Sequence, residues 1–332
     1  MLVRVNLWYD LYWLLVVCYL ALAGASSTVV AQEKIYFTRG EAISRANLDG
    51  TGSETIYSEP GAAPLAIALA LDAGRIYWCD TAKLEIRRST LSGQNVEVLV
   101  TGVRSFGIAL DPTNHLMYWN TDVEDVFPSG VYRSDMDGSN AHLVIPSNGR
   151  QAMGVALDTV NAKLYWTVVT GTPRLIQRAN LDGTSIETVV EFFERPAPVA
   201  LAIDVPGDGI YWAAQDIVTL IDGSVGRSRL DGAFVEVLSG ADRAFGVAVD
   251  APRGHVYWTS LGNSIKRANL DGSDRVIIDV GSTSQGGIAI DTRPAVKVPV
   301  ASAWGLVALA LAIAAAGTVM LRRKRRRACH AR

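Results

Sequence analysis

Cysteine is scarce in this sequence, and the few residues present are far apart. Cys18, Cys79 and Cys329 are the only three in 332 residues. The first lies in an N-terminal segment that we expect to be a signal peptide, and the last lies in a basic C-terminal tail. Cys79 is then alone in the body of the chain, which excludes an intrachain disulfide there.

The sequence also lacks the short motifs of common enzyme chemistries. It has no Gly-x-Ser-x-Gly, no His-Glu-x-x-His and no phosphate-binding loop. The histidines of the body, His115, His142 and His255, have no metal-ligand spacing with one another. A short acidic segment, Asp135–Asn140, lacks the further acidic ligands of a calcium loop. We therefore predict no catalytic residue, no metal site and no cofactor.

Charge is low and unevenly placed. Charged residues make up 19% and hydrophobic residues 49% of the chain, which excludes wholesale disorder. The net charge is −2, but seven of the basic residues lie in the last eleven positions, 322–332. The body is therefore more acidic than the whole chain, and nucleic acid would repel it, so we expect no nucleic-acid partner.

The two ends of the chain read as export and anchoring segments. Residues 1–31 contain an early cation, an apolar stretch and small residues up to Ala31, which is typical of a cleaved secretory signal peptide. The alternative is an uncleaved N-terminal anchor helix. Residues 303–321 are uncharged and precede the basic tail 322–332, which predicts a transmembrane helix with a cytoplasmic C-terminus. A buried helix of the globular fold is the alternative. We expect the body to be exported, membrane-anchored and exposed outside the cytoplasm.

A sixfold repeat organises the body. An aromatic pair, Tyr-Trp in five cases and Tyr-Phe in one, recurs every 41 to 47 residues, a period that matches a four-stranded propeller blade. Its tyrosines are Tyr36, Tyr77, Tyr118, Tyr165, Tyr211 and Tyr257. After each pair comes an alternating segment with an arginine and, in most units, a terminal Asp-Gly, which predicts a strand and a hairpin turn. Each unit also has a short run of small and aliphatic residues that ends in Asp, as expected of the innermost strand of a blade.

Together these marks resemble the YWTD repeat of the low-density lipoprotein receptor family. The resemblance implies an all-β fold, a six-bladed β-propeller of four-stranded antiparallel blades, for residues 32–293. Of the six aromatic-pair segments, only the one that ends in Cys79 and Asp80 has the final Asp of the Tyr-Trp-Thr-Asp motif in register. The cysteine-rich modules that flank such receptor propellers are absent, so a role in lipoprotein uptake does not follow.

The order of the marks predicts how the ring closes. The body begins with an aromatic-pair strand and ends with an inner strand, so each terminal blade is incomplete alone. We predict that Gly287–Asp291 pairs with Lys34–Thr38 in a single blade, which would remove free sheet edges.

The segment before the hydrophobic stretch, residues 294–302, is a linker that begins a sorting motif. The tail resembles the bacterial IPTL-CTERM sorting segment, in which an Ile-Pro-Thr-Leu-x-x-Trp-Gly motif precedes a hydrophobic helix and a basic end. Pro299, Trp304 and Gly305 match that motif in register. The resemblance implies cleavage by a membrane sorting protease; a plain anchor with an interfacial tryptophan is the alternative.

Two sets of repeated residues are expected to support the blades. A ligand site needs asymmetry, which a feature present in every blade lacks. The tryptophans of the aromatic pairs are predicted core residues: Trp78, Trp119, Trp166, Trp212 and Trp258. The repeated arginines are predicted to form ion pairs or other structural contacts: Arg45, Arg88, Arg133, Arg178, Arg227 and Arg267.

Asymmetry is found in the loops of one face, here called the top face. It carries the links from strand two to strand three of each blade and from strand four to the next blade. Four arginines precede successive inner strands on this face: Arg104, Arg150, Arg195 and Arg243. They are the candidate ligand-binding residues, suited to an acidic peptide or anionic glycan; four solvated or locally paired arginines are the alternative.

We therefore expect a surface-displayed binding module for an extracellular protein, peptide or glycan, since variable loops on a rigid scaffold usually carry binding. The alternative is a metal-dependent propeller enzyme of the lactonase or lyase type, which would need acids, Asn or His in the central channel. A purely structural spacer is a third possibility.

Overall fold

The computed structural model describes residues 27–30, 33–122, 127–194, 196–216, 223–240, 243–260, 264–281, 285–293 and 297–300. Contacts divide the chain into two units, one formed by Glu33–Arg293 and the other by Met1–Gln32 with Pro294–Arg332. In the second unit, Ser27–Val30 pairs antiparallel with Lys297–Val300.

Several predictions fall on the second unit. Pro299 lies in its second strand, opposite Thr28. The rest of the predicted signal peptide, the predicted transmembrane helix 303–321, the tail 322–332 and the motif residues Trp304 and Gly305 lie outside the described residues. Within the part of the chain that the structure describes, no helix is long and apolar enough to cross a membrane.

The first unit consists of six four-stranded antiparallel sheets, and these are the blades of the predicted propeller. In order from the inner strand, blade 1 is Gln285–Ile290, Lys34–Arg39, Ala42–Asn47 and Glu54–Ser58, and blade 2 is Pro64–Ala70, Arg75–Asp80, Glu85–Thr90 and Glu97–Thr101. Blade 3 is Ile108–Asp111, Leu116–Thr121, Gly130–Asp135 and His142–Pro146, and blade 4 is Ala152–Asp158, Lys163–Val168, Arg174–Asn180 and Glu187–Phe192. Blade 5 is Ala197–Asp204, Gly209–Gln215, Gly223–Arg229 and Glu236–Gly240. Blade 6 is Ala244–Asp250, His255–Ser260, Ser264–Asn269 and Val276–Ile278, with a 3-10 turn at Ala251–Arg253.

Ring closure follows the prediction. The inner strand of blade 1 comes from the C-terminal end of the propeller and pairs with the first aromatic-pair strand, with Tyr36 opposite Ala289 and Phe37 opposite Ile288. The predicted six-bladed, four-stranded architecture and its closing blade are thereby confirmed.

The second strand of each blade forms most of the core. In blade 2, Ile76, Tyr77, Trp78 and Cys79 are all buried, as neighbouring strands flank this strand and adjacent blades cover both of its faces. Such a strand reads as continuously apolar rather than alternating. All five tryptophans of the aromatic pairs are at most 3% exposed.

Glycine is required where blades approach one another. A Cβ on Gly154 of blade 4 would lie 2.9 Å from the Cα of Ala200 in blade 5, so the inner strand of blade 4 has no room for a larger residue at this position. In the hairpin turn of blade 2, Gly93 has a φ of +79°, and a Cβ would lie 1.9 Å from the carbonyl oxygen of Ile56 in blade 1. The turn glycines thus serve contacts between blades as well as turn geometry.

Candidate functional site

The repeated arginines join neighbouring strands and neighbouring blades. In four blades the guanidinium binds a glutamate of the outer strand, in the pairs Arg45–Glu54, Arg88–Glu97, Arg178–Glu187 and Arg227–Glu236. The same arginines donate to a backbone carbonyl of the next blade, at Leu91, Met136, Leu230 and Leu270. Arg133 and Arg267 lie opposite His142 and Val276, which supply no carboxylate. In four blades, therefore, the arginine joins its own blade to the next one.

Apolar side chains at the starts of the inner strands lie at the top opening of the central channel, and Leu65, Phe106, Val199 and Phe245 line its axial cavity. They occupy one shared position, immediately before the small residue of each inner strand. We call this set the collar: Leu65, Phe106, Met153, Val199 and Phe245, with Gly286 at the sixth position. Leu65, Phe106 and Phe245 are partly exposed.

The axial cavity inside the collar is small and is lined by apolar side chains and by backbone. Its volume is about 70 Å³, enough for part of a side chain. All of the residues that line it are glycine, alanine, aliphatic or phenylalanine. Among the described residues no group of three or more His, Cys, Asp and Glu side chains could hold a metal ion.

A belt of polar side chains supports the collar from below. They are the residues that follow the aromatic pairs, and they bind the backbone at the starts of the inner strands. Thr38 Oγ1 accepts from Gly287 N and donates to the carbonyl of Leu65 in the next blade, at 2.9 and 3.0 Å. Asn120 accepts from Phe106 N at 3.1 Å and donates to the carbonyl of Ala152 at 2.7 Å.

The belt continues in other blades. Thr167 accepts from Gly154 N, and Thr259 accepts from Gly246 N and donates to the carbonyl of Gly286. In blade 2 the position belongs to Cys79, which donates to Ser105 Oγ at 3.1 Å, and burial raises the pKa of its thiol to about 12. Thr38, Asn120 and Thr259 each bond to the inner-strand segments of two neighbouring blades and so fix the backbone that carries the collar.

The four predicted ligand-binding arginines differ in their surroundings. Arg104 is half exposed and makes a two-bond ion pair with Asp122, at 2.8 and 3.2 Å. Arg150 donates to the carbonyl oxygens of Thr170 and Pro173. Arg243 is exposed, and Arg195 lies outside the described residues. Arg104 and Arg150 are thus bound within the chain, and a ligand for them would have to compete with these partners.

Asp122 links two blades on the top face. Besides Arg104, its carboxylate accepts from Gln151 Nε2 at 2.9 Å. Gln151 N in turn donates to Thr170 Oγ1 at 2.8 Å. The network holds the links that enter blades 3 and 4 in fixed positions.

The sequence patterns did not predict the collar or the belt. The collar positions differ in side chain from blade to blade, so they form no repeated mark. The belt left a signal, the recurrence of Thr or Asn directly after the aromatic pair at Thr38, Asn120, Thr167 and Thr259.

Comparison with known proteins places the fold. No model of a known protein family matches the sequence. In an alignment of 96 residues that covers 24% of this chain, the sequence is 31% identical to a Pyricularia oryzae protein named low-density lipoprotein receptor-related protein 1. That match spans 31% of the relative's length, less than a third.

Two solved structures have a similar fold. A chain in the crystal structure of a nidogen/laminin complex has a TM-score of 0.69 at 20% identity, over 78% of this chain and 98% of that chain. TolB from Acinetobacter baumannii has a TM-score of 0.63 at 16% identity, over 82% of this chain and 69% of that chain. At these identities the similarity establishes the propeller fold.

Proposed function

We propose that this propeller is a protein-binding module of the YWTD type, displayed outside the cell, and that it holds its partner on the collar. The observation that carries the proposal is the partly exposed ring of Leu65, Phe106 and Phe245 at the mouth of the channel. Aromatic side chains at the centre of a surface, with polar groups around them, are typical of binding hot spots. The hydrophobic segment 303–321 supports the location, since it would anchor the propeller on the outer side of a membrane.

The comparisons support the same class of function. One solved structure with this fold is a nidogen/laminin complex, in which the propeller-containing protein was crystallised with another protein. The Pyricularia oryzae relative, matched over 31% of its length, has a receptor-related name. A rigid ring with a variable top face suits protein recognition, because loops can change without loss of the scaffold.

A lactonase- or lyase-type enzyme remains the alternative function. Such an enzyme would need polar ligands in the channel, whereas the residues described around the axial cavity are apolar. The apolar lining favours binding over catalysis.

An anionic ligand is the finer proposal. If an acidic peptide or glycan binds, Arg104, Arg150, Arg195 and Arg243 would supply the contacts, and affinity would fall as salt screens them. Replacement of all four arginines by alanine should then weaken the binding of this anionic ligand to the propeller. It should also reduce the dependence of the affinity on salt concentration. Unchanged affinity and salt dependence would limit these arginines to structural contacts.

The main test is capture of a partner by the full chain from native surface extract, followed by mass spectrometry. The Phe106→Ser/Phe245→Ser variant should lose the captured protein, since it removes the two aromatic collar residues. Val160→Ser is the matched control, because Val160 is 78% exposed on the link between the first two strands of blade 4, away from the collar. Equal capture by wild type and the double variant, with both folded, would contradict the role of the collar.

A further inference from the structure

The tryptophan of each aromatic pair lies at a junction between two blades, and several junctions hold a second aromatic ring. Tyr57 of blade 1 lies against Trp78 of blade 2, with ring centroids 5.0 Å apart. Phe192 of blade 4 lies edge-on against Trp212 of blade 5 at 5.5 Å. Phe127 packs edge-on against Trp119 at 5.4 Å. At three junctions, therefore, the chain itself places a ring beside the tryptophan.

The register shows which positions supply these rings. Tyr57 is the outer-strand residue opposite Ile43, and the equivalent residues are Ile145, opposite Val131, and Val190, opposite Ile176. Phe192 follows Val190 by two positions, as Ser147 follows Ile145. The junction between blades 3 and 4 thus has isoleucine and serine where other junctions place tyrosine or phenylalanine.

A cavity of about 200 Å³ lies at this junction. Its lining includes Trp166, Ile145, Val168, Gln177 and Ser147. In the part of the chain that the structure describes, no aromatic ring packs against Trp166. We call this space the blade 3–4 cavity.

The cavity is open to solvent and has room for one aromatic ring. Pro146 and Asn148 at its edge are exposed, and Ile186 at its lining is 50% exposed. A dry apolar cavity of about 150 Å³ holds a benzene molecule. The volume is therefore sufficient for a phenyl group.

The polar side chains at the edge make hydrogen bonds within the chain. Arg150 also lines the cavity, but its guanidinium donates to the carbonyl oxygens of Thr170 and Pro173. Gln177 Nε2 donates to Thr188 Oγ1 at 3.4 Å. The Nε and Nη2 groups of Arg150 are thus bound within the chain, and Trp166, Ile145 and Val168 provide apolar surface for a ring.

We propose that the blade 3–4 cavity binds an aromatic side chain of a partner polypeptide, which lies against Trp166 as Tyr57, Phe127 and Phe192 lie against their tryptophans. This proposal rests on the proposed function, since it assumes that the propeller binds a protein. The site is distinct from the collar, because no residue lines both cavities.

The test uses the full chain and small probes in place of a partner. N-acetyl-phenylalanine amide and N-acetyl-leucine amide are titrated by saturation-transfer NMR. We expect saturable binding of the phenylalanine probe and about threefold to tenfold weaker binding of the leucine probe, because ring–ring contacts add to the buried area.

Two variants place a ring of the chain itself in the cavity. Ser147→Phe copies Phe192, and Ile145→Tyr copies Tyr57, so each should abolish probe binding and raise the melting temperature. Val160→Phe adds a ring at an exposed position outside the cavity and should leave probe binding unchanged. If one filled variant does not fold, the other decides.

The proposal is overturned if the phenylalanine probe shows no saturable binding to wild type, or if a folded filled variant binds it as wild type does. Failure of the proposed function gives a different pattern. Probe binding without capture of any protein would leave the cavity as an aromatic site and contradict the binding-module role. Capture of a protein that depends on the collar, without probe binding, would support the binding-module role and contradict the proposal for the blade 3–4 cavity.

Discussion

Arg88 in blade 2 donates from Nη1 to the backbone carbonyl oxygen of Met136 in blade 3, at a distance of 3.1 Å. The same guanidinium makes two bonds to Glu97, at 2.7 and 3.0 Å. One side chain therefore holds strands three and four of its own blade against the hairpin of the next blade. In a repeat protein, stability depends on such nearest-neighbour interfaces as well as on each unit.

Replacement of Arg88 by methionine tests this link. The variant removes the bond to Met136 as well as the ion pair, so we expect a loss of about 1.5–3 kcal/mol. Glu97→Gln should cost less than about 1 kcal/mol, because the Glu97 side chain is 42% exposed and surface ion pairs contribute little. Urea unfolding of the full chain, followed by tryptophan fluorescence, measures both. Equal losses would show that the ion pair, and not the contact between blades, carries the stability.

Two tryptophans of the same repeat position should differ in their contribution to stability. Trp119 is stacked on Tyr132 at 4.7 Å and packed by Phe127, whereas Trp166 borders an existing cavity. Truncation of a buried tryptophan costs about 3–5 kcal/mol, and the loss is larger where packing is complete. We expect the loss of stability to lie near the upper end of this range for Trp119→Ala and near the lower end for Trp166→Ala. Thermal unfolding of both variants measures the two losses. A larger loss for Trp166→Ala would contradict this order, and a loss below about 1 kcal/mol would mean that its ring is not core.

The architecture could be predicted because its determinants are local and repeated. The aromatic pairs, the Asp-Gly turns and the small residues of the inner strands each follow from the geometry of one blade. The position of Gly287–Asp291 then followed from the order of the marks. The aromatic pairs, the turns and the small residues recur in the sequence once per blade, so the repeat reveals them.

The candidate site could not be predicted to the same extent, because it depends on contacts between blades. Phe106 and Phe245 occupy equivalent positions, but the other blades place Leu65, Met153, Val199 and Gly286 there, so no period reveals them. Asp122 is bound to Arg104 by an interaction across 18 positions of the chain that no motif encodes. The empty space beside Trp166 arises because neither Ile145 nor Ser147 supplies a ring, and no repeated pattern in the sequence marks it.

Thr38 should contribute to closure of the ring. Its buried hydroxyl joins Gly287 of the closing strand to Leu65 of blade 2. Thr38→Val keeps the shape but leaves both backbone groups without this partner, so we expect a loss of about 1–3 kcal/mol. Thr38→Ser retains the hydroxyl and should lose less. Thermal unfolding compares the two variants, and a loss for Thr38→Ser as large as that for Thr38→Val would contradict the role of the hydroxyl.

The pH dependence of stability should report on Glu59, which lies at the top of the junction between blades 1 and 2. Its carboxylate accepts from the Tyr57 hydroxyl at 2.6 Å, from Arg87, and from Lys83 at 3.1 Å. The Tyr57 hydrogen bond, followed by those from Arg87 and Lys83, lowers the pKa of Glu59 from 4.5 to about 2. Since the folded pKa lies below the unfolded one, the stabilisation is complete above about pH 4.5 and is lost as pH falls towards 2.

Glu59→Gln removes this titration and tests its sign. At pH 7 the variant should melt at a lower temperature than wild type, and the difference should shrink between about pH 4.5 and pH 2, as scanning calorimetry would show. Tyr57→Phe removes the largest cause of the shift, so it should raise the pKa of Glu59 and move the loss of stability to higher pH. A difference between wild type and Glu59→Gln that stays constant from pH 6 to pH 2 would mean that the carboxylate network adds no stability of its own.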